Sequence, residues 1–85
     1  MQNPETVRPL CALQRGETAV IEALYLHGAM RHRLQDLGWI PGTRIQRLQT
    51  AGSGDPTAYA VRGAVIALRR CDAKLVLVYP TTSVK

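Results

Sequence analysis

The sequence predicts a mainly β fold, a small barrel or strongly bent sheet of five to six short strands with one short inserted helix over about 29–37. Three observations carry this. Short apolar runs rich in Val, Ile, Leu and Ala recur along the chain, and such residues suit a pleated, half-buried surface. Gly and Pro punctuate the runs at nearly every joint. A single stretch, Ala29 to Leu37, carries helical spacing instead, with Met30, Leu34 and Leu37 at i, i+4 and i+7.

Taken in order, residues 1–9 are polar, contain Pro4 and Pro9, and read as a flexible lead-in. Leu10–Leu13 is short and apolar and is expected to form a first edge strand. Arg15-Gly16-Glu17 is a turn. Thr18–Leu26 is β-branched and apolar and favours a strand, with helix as the competing assignment. His27-Gly28 breaks that run and opens the helix, whose Arg31, Arg33, Gln35 and Asp36 fall away from the apolar stripe. Gly38 can take the left-handed conformation that ends helices. Pro41-Gly42 suits the central positions of a type II turn, where only the second needs positive φ.

Thr43–Leu48 is the next expected strand. Thr50–Thr57 holds Gly52, Ser53, Gly54 and Pro56 and reads as a loop, with Asp55 initiating a turn before Pro56. Ala58–Arg62 and Ala64–Leu68 form two strands joined at Gly63. Arg69–Lys74 forms one helical turn, for which Asp72 is a candidate cap. Leu75–Tyr79 is a near-continuous apolar strand, and as an uncovered edge it could pair with another chain. A polar tail covers 80–85. The chain therefore reads as one domain over 10–79 between two short flanks.

Composition narrows the function classes. Hydrophobic residues make up 46% of the 85, with no Phe, so the core is expected to be built from Leu, Val, Ile and Ala. Such a short chain buries little over ~60% of the surface its unfolded form exposes, and its core is thin. The longest apolar runs fall far short of a membrane span. The N-terminal segment lacks the apolar core of a signal peptide, so a cytoplasmic setting is expected. There Cys11 and Cys71 are read as buried free thiols. The formal charge is +5, and nine of the eleven basic residues are Arg. That balance fits a solvated basic surface, a patch that docks an acidic partner, or nucleic acid.

Catalytic chemistry finds no foothold. No phosphate-cradling Gly-rich loop followed by Lys is present. Neither cysteine has a histidine near it in sequence. The six acids lie mostly at turns and element ends. His27 and His32 are five residues apart, about 140° around a helix, and match no ligand spacing. Only adventitious zinc is expected on them. Trp39, between a helix stop and a turn, has two readings: partial packing over the helix end, or an exposed aromatic anchor for a partner. The aromatics Tyr25, Trp39, Tyr59 and Tyr79 are too scattered for a nucleic-acid stacking face.

The ordered set Arg33-Leu34, Leu37-Gly38-Trp39-Ile40-Pro41-Gly42, Gly54-Asp55-Pro56, Arg62-Gly63 and Leu68-Arg69-Arg70 resembles the FeoA family over roughly Leu10 to Tyr79. Two positions depart from the family pattern. Trp39 stands where a smaller aliphatic or Met is usual, and Thr57 follows Gly-Asp-Pro where an apolar residue is typical. The resemblance implies an SH3-like barrel and a non-enzymatic cytosolic accessory protein of ferrous iron uptake, without cofactor, binding the GTP-binding region of the FeoB membrane transporter. On this reading Arg31, Arg33 and Trp39, with Arg69 and Arg70, form the docking face. The alternatives are a regulatory module like the SH3-like domain of metal-dependent repressors, and a basic RNA-binding small barrel.

Overall fold

The computed structural model describes residues 7–50, 52 and 54–81. Residues 1–6 of the expected lead-in over 1–9, Ala51 and Ser53 of the loop, and residues 82–85 of the expected tail over 80–85 lie outside the described residues. The chain forms β1 (Arg8–Pro9), a 3-10 turn (Leu10–Ala12), β2 (Thr18–Leu24), α1 (Gly28–Asp36), β3 (Arg44–Thr50), β4 (Thr57–Val61), β5 (Ala64–Leu68), α2 (Arg70–Ala73) and β6 (Val76–Pro80). The strands make one antiparallel sheet in the order β1-β6-β2-β3-β4-β5. The sheet bends around its core without closing: β1 and β5 stand at its two ends and do not pair.

Two bulges produce the bend. In β2, Ile21 stands opposite Val78 and Ala23 opposite Leu77, so Glu22 is the extra residue. Ala19 and Ile21 are buried before it and Leu24 and Leu26 after it, so the inward phase shifts by one residue there. A second shift lies in β3 between Arg47 and Thr50. Bulges of this kind raise local twist and bend the strand that carries them.

Leu10–Leu13 is not the expected edge strand. Leu10 and Leu13 are 0% and 1% exposed, three residues apart, and in a 3-10 turn side chains at that spacing eclipse. The turn thus plugs two leucines into the core where an extended segment would send them to opposite faces. The edge strand is Arg8–Pro9 instead. The apolar run near the C-terminus is likewise no edge, because β6 lies between β1 and β2.

The helix ends as its glycine requires. The Gly38 N–H donates to Gln35 O at 3.0 Å and the Trp39 N–H to Leu34 O at 2.9 Å, the paired bonds of a Schellman motif. Gly38 has φ +96°, and a Cβ there would also meet the Arg62 side chain. Across Pro41 and Gly42, the Thr43 N–H donates to Ile40 O at 3.0 Å with Gly42 at φ +93°, which is the type II turn. Leu34 is fully buried, and Met30 and Leu37 pack half-buried against the same core.

At α2 the cap comes from elsewhere in the chain. Asp72 lies inside the first turn, and Arg69 at the N-cap makes no side-chain capping bond. The Arg70 N–H donates to Asp55 Oδ1 at 2.9 Å instead. Asp55→Ala is therefore expected to destabilise the domain by about 1 kcal/mol, the usual worth of such a cap. Asp72→Ala should cost less, and paired urea titrations check the difference. Cys71 is exposed rather than buried, because a four-residue helix has one inward position and Ala73 occupies it. Cys11 is half-buried against the core.

Candidate partner-binding surface

The sequence singled out Arg31, Arg33, Trp39, Arg69 and Arg70 as one docking face, and the structure divides them. Trp39 is 1% exposed and meets the Tyr59 ring edge-on, with centroids 6.3 Å apart at 86°. It is a core residue and not an exposed anchor. The cause is the helix stop itself: the residue after the Schellman glycine turns its side chain back onto the end of the helix. Gly38 in the sequence was the signal for this.

Arg31 is also committed. Its Nη1 donates to Leu24 O at 2.8 Å and to Leu26 O at 3.4 Å. These carbonyls lie at and just beyond the end of β2, so the guanidinium fastens the start of α1 to that strand. Arg33, Arg69 and Arg70 remain exposed. A groove of about 250 Å³ runs between Met30, Arg33 and Leu34 of α1 and residues 65–68 of β5. Arg69 and Arg70 follow β5 directly, and Arg62 precedes it in the turn. The Arg62 side chain reaches the glycine at the end of α1. Of these arginines Arg33 lines the groove itself, while Arg62 and the Arg69–Arg70 pair flank the two ends of β5 in the chain; the groove is partly apolar. Its apolar wall continues onto Val65, 64% exposed.

A second basic cluster was not anticipated. Arg47 points its Nη1 at Leu13 O, and its Nη2 donates to Thr50 Oγ1 at 2.6 Å. Its buried Nε has no hydrogen-bond partner. It lines a polar cavity of about 240 Å³ with Cys11, Thr57, Tyr59 and Arg70. Burial pushes the Tyr59 hydroxyl above its ordinary pKa, and the nearby Arg47 charge partly opposes that. The phase of β3 held the clue. Ile45 is buried, and in a strand every second residue shares a face, so Arg47 had to accompany it inward.

His27 precedes α1 and His32 lies on it, both exposed. Among the described residues no group of three His, Cys, Asp or Glu side chains is placed to hold a metal ion. No helix among them is long and apolar enough to cross a membrane.

A family model described as the FeoA domain matches residues 8–80. No curated protein sequence matches the chain. Among solved structures, a FeoA protein from Chlorobium tepidum superposes with a TM-score of 0.83 at 28% identity, covering 91% of this chain and 73% of that one. A Stenotrophomonas maltophilia FeoA solved with zinc, described as a prokaryotic SH3-domain protein, superposes with a TM-score of 0.72 at 31% identity, covering 82% of this chain and 87% of that one. A manganese-dependent transcriptional repressor shares the fold, with a TM-score of 0.76 at 18% identity over 88% of this chain and 42% of that one. With its bent six-stranded sheet, single inserted helix, and glycine and proline stops in place across the matched span, the chain belongs to the FeoA family, which is associated with ferrous iron transport.

Proposed function

We propose that this chain is a non-enzymatic accessory protein of ferrous iron uptake, acting in the cytoplasm by binding the GTP-binding region of a FeoB-type transporter. The unit that does so is the folded segment over 10–79. The observation that carries the reading is the FeoA domain match across residues 8–80. The exposed arginines Arg33, Arg69 and Arg70 support it, because a concentrated positive rim speeds and orients docking to an acidic surface. Arg31 and Trp39 contribute indirectly, by fixing the helix that presents Arg33. Zinc, where it binds at exposed His27 or His32, is adventitious and takes no part.

Calorimetry with the purified GTP-binding region, with and without nucleotide, tests this. Binding is expected to weaken at least about tenfold in an Arg33→Glu/Arg69→Glu variant and to fall as salt rises. Arg44→Glu on the exposed face of β3 should bind like the parent. No binding by the parent chain in either nucleotide state overturns the proposal. The fold shared with the repressor supports a second reading, a regulatory module that contacts another protein's DNA-binding domain. Binding to such a domain in place of the transporter fragment would favour it.

A further inference from the structure

The two ends of the sheet are built differently. β1 is two residues long and contains Pro9, the usual way of blunting an exposed edge. β5 has neither protection. Ala64-Val65-Ile66-Ala67-Leu68 is wholly apolar, with no proline and no charge inside it. Among the described residues nothing pairs with its outer side.

Its register shows which groups are free. Arg62 at φ +52° and Gly63 at φ +83° form the two-residue turn between β4 and β5. Both positive angles belong to a type I′ hairpin. The residues flanking such a turn, Val61 and Ala64, form a hydrogen-bonded pair, and such pairs alternate along an antiparallel ladder. Ala64, Ile66 and Leu68 therefore turn their backbone groups toward β4, opposite Val61, Tyr59 and Thr57. Val65 and Ala67 turn theirs outward, away from β4, and both residues also line the groove beside α1.

From this geometry we propose that the outer edge of β5 accepts an extended segment of a partner protein as a seventh strand, an apolar stretch with acidic residues at both ends. The N–H and C=O of Val65 and Ala67 pair with the incoming backbone, as in strand addition elsewhere. Met30, half-buried on α1, contacts its apolar side chains across the groove. Arg62 meets the acids at one end, and Arg69 and Arg70 meet those at the other, with Arg33 on the far wall. The carboxylates on the flanking elements are Asp36, Asp55 and Asp72, three against the four guanidinium groups of Arg33, Arg62, Arg69 and Arg70, so the rim stays net positive.

Charge also decides against a second copy of this chain. Antiparallel self-pairing centred on Ile66 would set Arg62 opposite Arg70 of the other copy, twice over. Like charges directly opposite each other destabilise a strand pair. The proposal rests on the accessory-protein reading only for the identity of the partner.

The test uses the full chain and a synthetic peptide of alternating valine and threonine with paired acidic residues at each end. Amide hydrogen exchange is followed residue by residue. With millimolar peptide, exchange at Val65 and Ala67 is expected to slow at least tenfold, while Ala64 and Ile66 change little. Ala67→Pro removes an outward donor without touching the β4 ladder, so it should abolish the protection. Since that variant could disturb the strand, Arg33→Glu/Arg69→Glu supplies a second arm that leaves the backbone intact and should weaken binding about tenfold.

No protection at Val65 and Ala67, equal binding of a lysine-ended peptide, or concentration-dependent dimerisation through β5 overturns the proposal. The same exchange measurement with the transporter fragment separates the two ideas. A fragment that binds but protects other amides refutes the strand proposal alone. Peptide protection with no fragment binding refutes the accessory reading alone.

Discussion

Trp39→Ala is expected to lower the unfolding free energy by about 3–5 kcal/mol. The indole is 1% exposed, and its edge-on contact with Tyr59 adds to the area it buries. Stability of roughly 0.05–0.15 kcal/mol per residue gives this domain about 4–13 kcal/mol in all. A single truncation could therefore remove most of it. Urea unfolding followed by circular dichroism is the measurement, since the variant loses the chain's single tryptophan and with it the fluorescence signal. A loss below about 1 kcal/mol would mean that the indole is not held in the core, and would reopen its role as a surface anchor.

Leu34→Ala should cost about 2–5 kcal/mol, and the loss should be unevenly distributed. α1 has nine residues, too few to persist without docking, and Leu34 is its one fully buried side chain. Amide exchange should accelerate across Gly28–Asp36 more than across β3 and β4. The two losses should not simply add. Leu34 accepts the Trp39 N–H and both side chains belong to one cluster, and contacting residues couple. The double variant is expected to lose less than the sum of the two, provided it still folds.

What the sequence disclosed depended on how local its cause was. α1, the Pro41-Gly42 turn and the β4–β5 hairpin rest on spacings and turn residues within a few positions, and they emerged within a residue or two of expectation. Leu10–Leu13 misled because three or four apolar residues fit a strand and a 3-10 turn equally well. Trp39 was open between core and surface although Gly38 beside it settles the direction of its side chain. The Asp55 cap joins residues fifteen positions apart, and no local pattern announces such a bond. The division of the arginines was hidden for the same reason. Arg31 spends its charge on two carbonyls of its own chain, and Arg47 lies inside, while Arg33 and Arg69 face outward.

Glu22 carries a lesson about how this shape could change. Without it, Ala19, Ile21, Leu24 and Leu26 would fall into one unbroken alternation, and every inward side chain would keep its side. A one-residue deletion there would spare the chemistry of the interior and alter only curvature, flattening the ribbon and drawing its rims apart. A change of one residue in length at that point is therefore a way to reshape the molecule while its interior composition stays the same.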